Sequence, residues 1–404
     1  MLFIFVLMIG LMVSKFMMSL GMFGLIGVAL ITTDLKAGFQ NFLRNKAYVW
    51  TTGVFGIILV TGLYTENWGE LLVRLRIALP FLSLPIVFAC LPSFTKRQYH
   101  SLLYIFVLLT LVFSVGMFVN FMNNYEELSA GLTLSKAIPA PNEDHIRFSL
   151  MLCIAIFAAG QLFLKKFYWK YKWERPLLGI ITLILVILMH IFSVRSGLLA
   201  FYVGLLAWLV HVVVTKRKYV LGLIGLLLLI AMPYITYQLV PSVRAKVGLT
   251  IHNISVYQKG EIGHYSDTQR FLSYDIAWDV IQENFWWGVG MGDLRDEIQL
   301  VYFLEYPQHK FMFPHNQFLT FWGGCGLVGL VLFLICFFVP LIYRKHYRNA
   351  FILIFYVIIF TSFLTENTIL NATGTAIHTL FLLLALNYLD GQYQEKVLLE
   401  GKNS

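Results

Sequence analysis

Apolar runs follow one another along the chain from residue 1 to residue 389, separated for the most part by short polar segments. Reading runs of roughly 17–25 apolar residues as membrane crossings predicts helices near 48–65, 76–91, 101–119, 147–164, 177–193, 197–214, 220–237, 315–339, 350–366 and 372–389. Residues 1–31 are also apolar, but one helix of that length would be about 45 Å long, against a hydrocarbon core of about 30 Å. A hairpin turning near Ser14 and Lys15 resolves the mismatch and brings the expected total to about twelve. The N-terminus has no basic residue before its apolar run and no small-x-small cleavage site, so it reads as a retained helix. The expectation is an all-α polytopic membrane protein with four parts: an N-terminal bundle of about nine helices (1–237), a loop domain (238–314), C-terminal membrane helices (315–389) and a tail (390–404).

Composition supports this pattern. Of 404 residues, 59% are hydrophobic and 13% charged, whereas soluble domains are about 45–50% apolar and about 25% charged. Soluble enzymes and nucleic-acid binders are thereby excluded. The net charge of +9 is unevenly distributed: one side of the predicted topology carries 18 Lys and Arg against 5 Asp and Glu, the other 11 against 16. The positive-inside rule makes the basic side cytoplasmic, with both termini on it. Residues 120–146, 194–196 and 238–314 then face out. Cys90, Cys153, Cys325 and Cys336 lie in or beside apolar runs and read as small core residues, with no disulfide or zinc spacing.

The 77 residues from 238 to 314 far exceed a usual helix connection. Within them, TQRFLSYDIAWDVIQENFWW places Phe271, Tyr274, Trp278, Ile281 and Phe285 at helical spacing, which predicts an amphipathic helix with a broad apolar stripe. Gly288, Gly290 and Gly292 follow. A helix rather than a strand precedes them, so they read as a C-cap and turn and not as a nucleotide fingerprint. Next, Pro314 suits the first turn of the following span and sets His315 and Asn316 at its mouth, while Gly323, Gly324, Gly326 and Gly329 give that span a face on which another helix can pack closely.

Three groups suited to chemistry gather on the outer side from separate parts of the sequence: Arg195 in SVRSG, Arg270 at the start of the loop helix, and His315. Arginine offers a planar fork for phosphate, and an imidazole, with an ordinary pKa near 6.5, can act as a general base towards a hydroxyl. Interfacial anchoring competes for Arg195, a solvated helix face for Arg270, and a hydrogen-bonded interfacial histidine for His315. Asn316, His145 and Arg147 are supporting candidates, as is Glu366, which ends a span on the same side and could orient a basic group as readily as it could cap a helix or face water. His190, His211 and His378 lack a ligand partner at helical spacing and read as structural, and the loop acids form no D-x-D pair, so no metal site is expected. Trp286, Trp287, Trp322 and Tyr306 suit a rim that faces lipid or stacks on sugar.

The many-span chain, the SVRSG element, one long outer loop with an arginine in its first half, and FPHNQFLTFWGGCGLVGL opening the next span together resemble the O-antigen ligase and polymerase superfamily of bacterial envelope glycosyltransferases. The motifs lie within about 195–330, and Val194 stands where a serine often precedes the arginine. This resemblance implies a GT-C-like helical fold in the bacterial inner membrane, a periplasmic site, a glycan donor linked to undecaprenyl diphosphate, a lipid A-core or glycan acceptor, and no metal or other cofactor. It assigns Arg195 and Arg270 to the donor diphosphate and His315 to the acceptor, with direct displacement and inversion at the anomeric carbon. An O-antigen ligase is the leading expectation. A polymerase and a protein O-oligosaccharyltransferase are the alternatives within the class, and a polysaccharide or lipid transporter or an assembly scaffold outside it.

Overall fold

The computed structural model describes residues 1–133, 138–259 and 266–403, and every regular element among them is helical. Residues 134–137 of the expected outer segment 120–146, residues 260–265 of the long loop and Ser404 of the tail lie outside the described residues. The N-terminal hairpin is present: α1 (Leu2–Val13) and α2 (Lys15–Thr32) are separated by Ser14, whose backbone is extended and whose hydroxyl accepts from Phe16 N–H at 3.2 Å. A short amphipathic helix, α3 (Leu35–Arg44), leads into α4 (Lys46–Val60), α5 (Trp68–Cys90), α6 (Lys96–Asn123) and α7 (Tyr125–Thr133). The centre of the chain supplies α8 (His145–Leu164), α9 (Glu174–Phe192), α10 (Arg195–Lys216) and α11 (Tyr219–Leu239). Three loop helices, α12 (Pro241–Gln258), α13 (Ser266–Glu283) and α14 (Leu294–Glu305), precede α15 (Gln317–Ile342), α16 (Ala350–Thr365) and α17 (Ala372–Asn403).

Among the described residues ten helices are long and apolar enough to cross a membrane, and two further apolar helices, α1 and α16, are shorter. This is a multi-pass membrane protein. Predicted spans gained length where charge had been used to end them. The expected 76–91 begins at Trp68, because Arg74 is paired inside the helix with Glu70, one turn earlier, at 2.5 Å. Residues 390–403, expected as the tail, are helical and continue α17. Asp390 is buried at that junction and accepts from Asn45 at 2.5 Å and Arg344 at 2.7 Å, fastening the basic end of the bundle. By contrast α11 buries none of its residues, and the single residue Val240 joins it to α12.

The loop helix lies where its periodicity placed it, and of its apolar stripe Ile281 is fully buried while Phe271, Tyr274 and Phe285 are partly so. Leu272, Ile276 and Val280 form a small second core with Leu294, Ile298 and Tyr302 of α14, while Trp278 stays 42% exposed. The aromatic positions serve as edges instead: Trp278 meets Trp322 edge to face at 5.4 Å, and Phe271 meets Tyr257 at 5.2 Å. Two competing apolar stripes on one short helix are indistinguishable by period alone.

The glycine run after α13 is a strap bonded to α15. Val289 and Gly290 donate their N–H groups to the carbonyls of Gly323 and Gly324 at 2.9 and 3.0 Å, and Leu327 N–H returns to Phe285 C=O at 2.9 Å. The loop's own backbone lies against Gly326, whereas Gly323 and Gly324 make room for the side chains of Leu294 and Met291, and Gly329 faces Ile57 of α4. α15 kinks at Gly326 (φ 68°), where an added Cβ would lie 2.1 Å from the Trp286 carbonyl oxygen. Gly326→Ala meets both a left-handed backbone and a clash with main chain. It is expected to cost about 1–3 kcal/mol, seen as a lower apparent Tm of the detergent-solubilised protein; an unchanged Tm would show that the strap is not needed for stability.

Candidate functional site

One buried carboxylate organises the loop end of the bundle. α16 stops at Thr365, and Glu366 follows in extended conformation with its side chain 2% exposed. Its two oxygens divide between partners: Oε1 accepts from Arg270 Nη2 at 3.0 Å and Oε2 from His315 Nδ1 at 2.8 Å. Burial acts to raise this carboxyl, but the His315 hydrogen bond and the charges of His315, Arg270 and Arg147 outweigh it and hold Glu366 below the ordinary range. An ionised carboxylate only accepts, so the proton of the pair sits on Nδ1 and a neutral ring carries its lone pair on Nε2. Nε2 has no hydrogen-bond partner among the described residues.

The backbone around His315 is equally fixed. Tyr274 of α13 donates to the His315 carbonyl at 3.0 Å, and Asn367 donates to the Pro314 carbonyl while accepting from Thr320 at 2.8 Å. Asn316 caps α15, accepting from Phe318 and Leu319 N–H at 2.9 and 3.2 Å, so Pro314 lies before the helix and not in its first turn. The His-Asn pair thus joins the imidazole to the cap that positions it.

Arg195 enters from the α9–α10 corner. Ser193 adopts a left-handed conformation, Val194 is the N-cap, and Arg195 is the first residue of α10. Its Nη1 lies 2.7 Å from each oxygen of Asp267, one turn before Arg270 on α13. Burial would raise the Asp267 carboxyl, but the Arg195 bond and charge, Asn253 and Arg270 together lower it. Both guanidinium groups remain partly exposed, at 38% for Arg195 and 32% for Arg270. Arg195, Asp267, Arg270, Glu366 and His315 thus follow one another as two arginine–carboxylate pairs ending on the imidazole.

One further cation was not singled out from the sequence. Lys246 of α12 is 8% exposed, its Nζ donates to the Ser193 carbonyl at 2.9 Å, and no carboxylate pairs with it among the described residues. Burial, with the Arg195 charge adding to it, pushes this ammonium down to about 8, so it is still charged at neutral pH. Lys246 and Arg195 line a cavity of about 220 Å³ whose other walls include Leu198, Val243, Val247 and Ile251. A lone lysine on a loop helix reads as solvated, and only the corner against which α12 packs reveals its burial.

The remaining candidates are placed differently. Arg147 reaches the same turn, donating to the Asn367 carbonyl at 3.0 Å with Asp144 3.7 Å away, and its Nε is buried without a partner. His145 lines a small apolar cavity with Met189, Phe192 and Val194 and makes no hydrogen bond to the charged chain among the described residues. His190 bonds the Val186 carbonyl and the Tyr202 hydroxyl, both at 2.7 Å, and His378 sits among phenylalanines, positions that suit packing. Trp286 and Trp287 are exposed. No group of three His, Cys, Asp or Glu side chains that could hold a metal occurs among the described residues.

Residues 177–334 match the family model of O-antigen ligase. The matched stretch runs from α9 into α15, so it contains Arg195, Lys246, Arg270 and His315 and stops short of Glu366. The motifs from which the resemblance was read lie within this matched segment. No curated protein matches the chain.

The lowered carboxyls make a pH prediction. A carboxyl lowered on folding contributes stability above its unfolded pKa, about 4, and that contribution is lost as pH falls through the folded value. Thermal stability in detergent is expected to fall more steeply below about pH 4 in the wild type than in Asp267→Asn, and parallel curves would refute the coupling.

Proposed function

We propose that this O-antigen ligase-like protein transfers a preassembled glycan from undecaprenyl diphosphate to an acceptor hydroxyl at the outer face of the bacterial inner membrane. The observation that carries the reading is the Glu366 bridge, which sets a base beside a cation: His315 and Arg270 share one buried carboxylate at 2.8 and 3.0 Å. In the reaction, the acceptor oxygen attacks the anomeric carbon as its proton passes to Nε2 of His315. The bond from that carbon to the diphosphate oxygen breaks, the configuration inverts, and the negative charge that develops on the leaving diphosphate is met by Arg270 and Arg195, with no metal required. Glu366 fixes the tautomer and stabilises the imidazolium that forms, as a carboxylate does for a catalytic histidine generally.

Lys246 fits the same reading. A buried ammonium without a carboxylate is costly, and a phosphate bound in the neighbouring cavity would supply the missing anion while the apolar walls take the first isoprene units. A second cavity of about 250 Å³, lined by Tyr257, Phe271, Tyr274 and Asp275, offers aromatic faces and an acceptor for sugar hydroxyls beside His315. Of the three acceptors we favour lipid A-core, on the compact loop and the single motif histidine.

The test is a lipid-linked-glycan assay with a surface-glycan gel on a deletion strain complemented at matched expression. His315→Ala is expected to lower turnover by about 10²–10⁴, Glu366→Gln by at least about tenfold with little change in KM, and Lys246→Met chiefly to raise KM for the donor. Long polymer stranded on the carrier beside bare core identifies a ligase, and a core capped with one repeat identifies a polymerase. Wild-type turnover in His315→Ala overturns the catalytic assignment.

A further inference from the structure

A large cavity at the opposite end from the charged chain plays no part in the reaction described above. It has a volume of about 770 Å³ and lies between α8, α9, α10 and the start of α16. Its deep walls are apolar, including Phe157, Val186, Phe201, Leu205, Trp208 and Ile354. At its mouth are Lys165, Lys216 and Arg348, which come from the ends of three different helices, and no acidic residue lines it. All three cations are exposed, and none has a side-chain hydrogen bond or ion pair among the described residues.

The polar groups inside are layered. Gln161 lies one turn deeper than Lys165 on α8, and His211 lies just over one turn deeper than Lys216 on α10, a step of about 5–8 Å along each helix. Neither side chain has a hydrogen-bond partner among the described residues, and each is partly buried. Three cations at the rim, hydrogen-bonding groups one turn below and an apolar chamber beneath them match, in order, the phosphate, the ester carbonyls and the acyl chains of a glycerophospholipid. A polyprenyl phosphate has no ester carbonyls for the middle layer. Basic pockets between membrane helices on the Lys/Arg-rich side are suited to anionic headgroups.

We infer that this cavity is a binding site for one anionic glycerophospholipid of the leaflet at the basic end of the bundle. The lipid's phosphate engages Lys165, Lys216 and Arg348, and its acyl region fills the space between α8 and α10. The site is also open to a test that leaves the charges in place. A Cβ built on Gly160, which lines the cavity on α8, meets nothing within 4 Å, so a side chain there grows into the chamber and not into backbone.

The experiment delipidates the full-length protein in detergent, adds back phosphatidylglycerol or phosphatidylethanolamine, and counts retained lipid by native mass spectrometry. The wild type is expected to hold one phosphatidylglycerol at least about tenfold better than phosphatidylethanolamine. That preference disappears in Lys165→Gln/Lys216→Gln/Arg348→Gln, and retention falls in the series Gly160→Ala, Gly160→Leu although all three cations remain. Wild-type retention in Gly160→Leu would overturn the proposal, since the lipid would then be held only by the basic surface. Equal retention of the two lipids would do the same, as would displacement of bound phosphatidylglycerol by equimolar undecaprenyl phosphate. If Gly160→Leu fails to fold, the Gly160→Ala and triple-glutamine variants still decide the matter.

Discussion

A carboxylate withdrawn from water needs a cation and hydrogen-bond donors, and Glu366 finds them on two elements that are distant in sequence. Arg270 comes from the middle of the long loop and His315 from the mouth of α15. Removing either partner would leave a buried charge short of compensation, which is far costlier than losing a surface pair. The loop is therefore held against the bundle by the groups that also form the site, and packing and chemistry cannot be varied separately there. Asp267 repeats the arrangement one turn earlier on α13 with Arg195, tying the same helix to the α9–α10 corner.

The glycine strap complements these polar ties with backbone bonds. Ion pairs fix α13 at its N-terminal end, and the strap fixes its C-terminal end to the kink of α15 through Val289, Gly290 and Leu327. A helix pinned at both ends has little freedom to rotate, which keeps Tyr274 beneath the His315 carbonyl. Preorganisation of this kind lets a site stabilise developing charge without rearranging during the reaction.

Much of this was legible in the sequence, for identifiable reasons. Hydropathy gave the spans because the bilayer imposes a length on every crossing, and it gave the hairpin break at Ser14 because 31 apolar residues are too many for one. Helical period gave α13 and the buried Ile281 but not the rest of its buried face, since Leu272 and Ile276 compete with Phe271 and Tyr274 and only the packing of α14 decides between them. The glycines announced a close approach without naming the visitor. Glu366 was visible as a carboxylate at a span end, but nothing in one sequence links it to a histidine 51 positions earlier. Lys246 carried no local signal, because its burial depends on the α9–α10 corner.

Lys246 also inherits a mechanical circumstance. The helix leading to it, α11, buries none of its residues, and one residue, Val240, separates it from α12. A span with so little protein around it takes its tilt largely from the thickness of the surrounding hydrocarbon. The most buried cation of the cavity it shares with Arg195 thus hangs from a helix little restrained by the rest of the molecule. At that corner the bilayer is part of the scaffold, and a change in its thickness reaches the site through a joint one residue long.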